Sequence, residues 1–234
     1  MSGHSKWSNI KNKKAANDAA KGSVFTKMAK GITIAVKKGG GIGDPDMNFS
    51  LRLAIDKARS VNMPKENIDR AIDKGLGKGG VELVELTIEA FAPDGIMVIL
   101  ELVTDSRNRA VAEIRTLIEK YGGRMGEQGS VTYLFDHAGI IHTEEMITDE
   151  IELELIDLGM TDMVTHEGHT TIYTEPEKMH AVIKNLHEKG IKAEGGIGYR
   201  PKTTVELADS TKAETFLEHV SEYDDVQEVY ANLG

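Results

Sequence analysis

IIHTEEMITDEIELELIDLGMTDMVTHEGHTTIYTEPEKMHAVIKNLHEKGIKAEGGIGY (Ile140–Tyr199) switches repeatedly between a two-residue and a 3.6-residue apolar period, and the order of those switches sets the architecture. Ile140–Thr143 reads as a strand. Ile147, Ile151, Leu155 and Leu158 recur at helical spacing. Met163–Thr165 and Thr170–Tyr173 read as a strand pair turned at Glu167-Gly168. Pro176 opens a second helix, with a stripe of Met179, Val182, Ile183 and Leu186 and a stop at Gly190. Ile191–Tyr199 is a last strand. The order β-α-β-β-α-β is the ferredoxin-like arrangement, expected over residues 136–200.

On either side the patterns are those of a second α+β unit. Leu86, Ile88 and Ala90 alternate with Glu85, Thr87 and Glu89, as in a half-buried strand. Pro93-Asp94-Gly95 is a turn signal. Ile96–Val103 reads as a buried strand, and Asn108–Tyr121 as a helix ending at Gly122-Gly123. Val131, Tyr133 and Phe135 are expected to line one face of a further strand. After residue 200 come a strand (Thr203–Leu207), a helix (Phe216, Leu217, Val220) and a strand (Val226–Tyr230). This tail is too short to fold alone. It is expected to return to the sheet of residues 82–135, giving a domain of 81–135 plus 201–234 with 136–200 inserted.

Residues 1–80 read as helical. Val24, Phe25, Met28, Ile32, Ala35 and Val36 share one arc of a helix, and Lys27, Lys30, Lys37 and Lys38 the opposite one. Ser23 is a candidate cap and Gly39 a candidate stop. A second helix follows Asp44-Pro45, with Met47, Leu51, Ala54, Ile55, Ala58 and Val61 inward. A third starts near Pro64 and stops at Gly75, with Ile68, Ala71 and Ile72 inward. Gly75–Gly80 (GLGKGG) reads as a flexible linker. The fold class expected is α+β: a helical N-terminal domain, then two α/β sandwich-like domains, the last ferredoxin-like and inserted in the middle one.

The chain has 234 residues, 40% of them hydrophobic, which suffices for two or three compact units. The absence of cysteine excludes disulfides, thiolate metal sites and a cysteine nucleophile. It suits a reducing compartment. No apolar leader is visible, and the longest aliphatic run, Ile96–Leu100, is far short of the ~20 residues of a membrane helix. A soluble, cytoplasmic protein without membrane contact is expected.

Charge is divided along the chain. Residues 1–80 hold 16 Lys and Arg against 7 Asp and Glu, a charge of +9, whereas residues 81–234 carry −19 within a total of −10. Such asymmetry points to a polyanion as partner of the basic part. Residues 1–38 contain nine lysines and one acid, Asp18. Lys6, Lys11, Lys13, Lys14, Lys21, Lys27 and Lys30 are the candidate phosphate contacts. Trp7 is placed to stack on a base, with His4 beside it on a base or sugar. The first residues bury little besides Trp7 and Ile10, and are expected to order on a partner. Further on, Asp105 or Ser106 is expected to cap a helix that has Arg107 and Arg109 in its first turn. Cations there oppose the helix dipole. That suggests either a secondary phosphate contact or local pairing of Arg109 with Glu113.

Enzyme motifs fail on context. Gly75–Gly80 matches G-x-G-x-x-G, but a helix precedes it and a strand follows, the reverse of a dinucleotide site. His166-Glu167-Gly168-His169 is one residue short of a zinc-protease motif and sits at a hairpin. Glu144-Glu145 and Asp224-Asp225 lie in polar stretches and are expected to be exposed. No catalytic constellation, cofactor site or metal site is read, and the oligomeric state is left open.

Several motifs run in order along almost the whole chain: GHSKW (Gly3–Trp7), KAA (Lys14–Ala16), FTK (Phe25–Lys27), GGG..DPD.N (Gly39–Asn48), NMP (Asn62–Pro64), RAI (Arg70–Ile72), RNR.VAE.R (Arg107–Arg115), GG..G..GSV.Y.F (Gly122–Phe135) and DDVQEVY.N (Asp224–Asn232). In these the chain resembles the YebC family, whose mitochondrial relatives include the translational activator of cytochrome c oxidase. The resemblance implies three domains and no enzyme activity. It implies either a DNA-binding transcriptional regulator or a translation factor that acts on the ribosome, through ribosomal RNA, where proline-rich sequences stall synthesis. The chain departs from the family pattern at Ile42-Gly43, which lengthens the glycine loop. It departs again at Ile88–Gly95, where Ala90, Ala92 and Asp94 occupy glycine positions and Phe91 that of tyrosine.

Overall fold

The computed structural model describes residues 21–80, 82–166 and 168–234. Three helices come first: α1 (Lys21–Lys38), α2 (Phe49–Ser60) and α3 (Lys65–Gly75). They bury Ile32, Val36, Leu51, Ile55, Ala58, Ile68 and Ala71 between them. Asn48 fixes the entry to α2. Its Oδ1 accepts from Leu51 N–H at 3.1 Å, and its amide donates to Ala35 O (3.1 Å) and Ile42 O (3.0 Å). One side chain thus caps α2 and ties down the glycine loop after α1, a cap worth ~1 kcal/mol. Ser23 does not cap α1; it lies inside the helix and its Oγ donates to Asp224. α3 crosses α1 at Gly75, where an added Cβ would stand 2.6 Å from Val36 Cβ and 2.9 Å from Thr33 O.

The sheet elements follow: β1 (Val84–Phe91), β2 (Met97–Thr104), α4 (Arg107–Lys120), β3 (Arg124–Met125), β4 (Phe135–Thr143), α5 (Asp149–Asp157), β5 (Met160–His166), β6 (His169–Thr174), α6 (Met179–Glu188), β7 (Glu194–Pro201), α7 (Thr211–Glu222) and β8 (Val226–Ala231). Two compact units result, one ending at Leu134 and resuming at Pro201, the other spanning Phe135–Arg200. The fold is α+β, with helices first and two four-stranded sheets after them.

In the first unit the strand order is β3-β1-β2-β8, and every pairing is antiparallel. The tail therefore supplies β8, beside β2. Ile88, Val98, Leu100 and Leu102 pack with Ile114 and Ile118 of α4 and with Phe216, Leu217 and Val220 of α7. In the second unit the order is β5-β6-β4-β7, which is the ferredoxin-like one. Leu155 of α5 and Val182, Ile183 and Leu186 of α6 are fully or almost fully buried.

Two further local expectations are corrected. Residues 131–135 do not form a strand: Thr132–Leu134 is a 3-10 turn, Tyr133 is 64% exposed, and only Phe135 enters β4. The cause is Glu89. The alternating pattern of β1 puts it on the wet face, yet it is 6% exposed and accepts from the main-chain N–H groups of Gly129 (2.6 Å), Val131 and Thr132 (2.9 Å). Those donors bend the chain around a carboxylate instead of feeding a ladder. Thr203–Leu207 is likewise no strand, since only Val205 bridges Leu233. Asp94, in the Pro93-Asp94-Gly95 turn, has φ = 60°. A left-handed residue there explains why glycine suits the site.

Candidate nucleic-acid interface

Sequence puts the lysines of α1 on an open face; the structure leaves Lys37 and Lys38 exposed there but draws Lys27 and Lys30 inward. Lys27 Nζ donates to Ser221 O, one of the last carbonyls of α7. Those carbonyls have no partner within their helix, and a cation near them is favoured by the dipole. Lys30 Nζ donates to Asp224 O (3.1 Å) and forms an ion pair with Asp225; its side chain is 16% exposed. Lys37 reaches Leu83 O at 3.3 Å, and Lys38 pairs with Glu85 at 2.7 Å. The described cations of α1 therefore hold the helix to the strand-bearing part of its unit. Burial lowers the Lys27 ammonium to a pKa of about 8, against the opposing attraction of Asp224.

Asp225 is the centre of this junction. It was expected to be exposed and is 4% exposed. Lys30 contacts one carboxylate oxygen, and Arg109 the other at 3.2 Å. Burial alone would raise its pKa, but hydrogen bonds from Lys30, Thr104 and Arg109 together with the charge of Lys30 hold it below the usual value. Arg109 also meets Asp105 at 2.8 Å, with Glu113 at 4.0 Å. Its position against the α4 dipole is thus offset by three carboxylates, and its pKa is raised, first by the hydrogen bond to Asp225. Ser106 occupies the cap position of α4 without a side-chain cap bond; its N–H is instead satisfied by Thr104 Oγ1 at 3.1 Å.

A cleft of about 230 Å³ lies beside Lys27, lined by Lys57, Glu85, Glu101 and Glu228. Its charges are already engaged: Lys57 pairs with Glu228 at 2.7 Å, Glu85 with Lys38 at 2.7 Å, and Glu101 accepts from the Tyr230 hydroxyl at 3.0 Å. With three carboxylates against two lysines, the cleft is a poor seat for a polyanion.

Arg107 stands apart from this network. It is exposed and lines a groove between α4 and β1, with Arg115 two turns further along the helix. Sequence reasoning missed Arg115 and the groove, though the spacing 107, 111, 115 was there to read as one helical stripe. His166 and His169 stand opposite each other in register at the β5–β6 turn. Among the described residues no group of three His, Asp or Glu could hold a metal, and no helix is long and apolar enough to cross a membrane. His4, Lys6, Trp7, Lys11, Lys13 and Lys14, with the expectation that they order on a partner, lie outside the described residues. Lys21 stands at the head of α1.

The site and fold together define a chain with a basic helical front and two acidic sheet-bearing parts. Comparison with known families gives this class its place. The model "TACO1/YebC protein N-terminal domain" matches residues 5–78, and "TACO1/YebC second and third domain" matches 83–233. The chain belongs to the TACO1/YebC family. It is 43% identical to a "Probable transcriptional regulatory protein" of Halothermothrix orenii, covering 100% of this chain and 95% of that one. A protein of the same description from Herpetosiphon aurantiacus is 45% identical, covering 100% and 94%. A crystal structure of a conserved hypothetical protein from Aquifex aeolicus superposes with a TM-score of 0.84 at 38% identity, covering 93% of this chain and 91% of that one.

Proposed function

We propose that this protein is a non-enzymatic, cytoplasmic regulator of gene expression that binds nucleic acid, with duplex DNA as its target. The observation that carries this reading is the division of charge, +9 over residues 1–80 against −19 over the rest. Because Lys27 and Lys30 are engaged at the Asp225 junction, phosphate contact falls to Lys6, Lys11, Lys13, Lys14 and Lys21. His4 and Trp7 contact sugar or base; Arg109 is engaged by Asp105 and Asp225 and is not a phosphate contact, and Arg107 lines the groove between α4 and β1 instead. The names of the relatives, as regulatory proteins, agree with it.

The other target of the same chemistry is ribosomal RNA, in a translation factor. All nine cations of residues 1–38 are lysines, point charges that grip phosphates without the bidentate base reading of arginine. Such a set suits a shape-read polyanion. Competition decides between them. A labelled duplex is challenged with unrelated DNA and, separately, with ribosomes. Retention of the duplex against ribosomes supports the DNA reading. Equal affinity for every duplex, with preferential co-sedimentation with ribosomes, overturns it in favour of the ribosome.

A further inference from the structure

The edge of β1 is open over half its length. β3 covers only Ala90 and Phe91, with Gly126 N–H adding a bond to Glu89 O at 2.7 Å. Main-chain groups alternate in direction along a strand. Since Glu89 O faces this edge, the groups of Thr87 and Glu85 face it too, with no strand beside them among the described residues. Thr87 is exposed. Residues 84–88 contain neither Lys nor Pro, and their one charge, Glu85, is paired with Lys38 at 2.7 Å.

A groove of about 670 Å³ runs beside that edge, between β1 and α4. Leu86, Ile88, Val111 and Met125 give it an apolar lining. Arg107 and Arg115 line it as well. Among the described residues neither has a hydrogen bond or ion pair. Their spacing along α4 is eight residues, about 12 Å of helix. Four residues of extended chain cover about 13 Å, and residues i, i+2 and i+4 of a strand share one face.

We propose that this groove docks an extended acidic polypeptide segment, which adds to β1 as a strand. Its main chain pairs with Glu85 and Thr87. Carboxylates at i and i+4 meet Arg107 and Arg115, and an apolar residue at i+2 sits against Val111 and Leu86. A strand ladder is matched by a polypeptide and not by a nucleic acid, which lacks its regular alternation of donor and acceptor. The guanidinium groups, unpaired among the described residues, set the sign of the partner's charge. This partner is separate from the nucleic acid proposed above.

The test uses the full chain and a short fluorescent peptide with the core Glu-Thr-Val-Thr-Glu, read by anisotropy, with amide hydrogen exchange at Thr87 as second readout. Binding with slowed exchange at Thr87 is expected. Arg107→Glu combined with Arg115→Glu should weaken it by about tenfold or more, as loss of charged hydrogen bonds implies. Thr87→Pro removes an outward N–H that β2 does not use, a position where an edge strand tolerates proline, and should abolish binding with the circular dichroism spectrum unchanged. Failure of the peptide to bind overturns the proposal, as does binding indifferent to Thr87→Pro. Displacement of the peptide by an oligonucleotide, lost in the double arginine variant, assigns the groove to nucleic acid and overturns it also.

Discussion

Asp225 and Glu89 are buried carboxylates that stay ionised for different reasons. At Asp225 two cations, Lys30 and Arg109, close on the group from separate elements. Asp225→Ala leaves both without their shared partner and is expected to cost about 3–5 kcal/mol, measured by urea unfolding. At Glu89 burial pushes the pKa up, but the donors at Thr132, Gly129 and Val131 outweigh it and hold the group below its usual value. A depressed carboxylate stabilises the fold above its unfolded pKa, and that contribution is lost as pH falls through the folded value. Glu89→Ala is therefore expected to cost about 3 kcal/mol at neutral pH, through three unsatisfied N–H groups. The gap from wild type should narrow once the pH drops below about 4.5. At Lys27 burial outweighs the partners. With a folded pKa of about 8 against 10.5, the unfolded chain alone holds the proton between those values. Stability from this group thus rises with pH across that window, and below it the buried charge is a standing cost. An NMR titration of the lysine side chains should find Lys27 titrating near pH 8, apart from the rest. Lys27→Met should flatten the rise.

At the scale of elements, apolar period was a good guide and polar side chains were not. The order of strands and helices from 136 to 200 is visible in the spacing of Ile151, Leu155, Val182 and Leu186, because each element buries one face. The same logic located α1 to α3 and the return of the tail as β8. It failed at residues 131–135, where Glu89, more than 40 residues away, takes the N–H groups that a strand would use. It failed for the lysine face of α1, because the partners, Ser221, Asp224 and Asp225, come from the far end of the chain. Polar pairing at such separation leaves no period to read. Close approach is equally hidden. Gly75 ends α3 in the sequence as a simple stop, but in the fold it lets α3 meet the backbone of α1. Gly75→Ala in an ordinary helix end would gain up to about 1 kcal/mol. Here, with Thr33 O in the way, a loss of about 1–3 kcal/mol is expected, seen as a lowered Tm.

For the whole molecule, acidity and basicity are separated along one chain, and the fold uses part of the basic charge for itself. Four α1 lysines bind the acidic and carbonyl groups of the sheet-bearing part of their own unit. On the proposed reading, the set left for a polyanion is Lys6, Lys11, Lys13, Lys14 and Lys21. Replacing Lys11, Lys13 and Lys14 by glutamate should abolish nucleic-acid binding and leave the thermal unfolding curve in place. Lys27→Glu with Lys30→Glu should instead lower the unfolding temperature.

The most direct measurement is the salt dependence of binding to a DNA duplex. Each phosphate neutralised contributes about −0.9 to the slope of log K against log salt. Five lysines give a slope near −4.5, which steepens toward about −6 if Lys27 and Lys30 also reach phosphates. A slope near the first value, nearly lost when Lys11, Lys13 and Lys14 become glutamate, is the expected result. A flat response, or no binding in dilute buffer, contradicts a cationic front built to hold a polyanion.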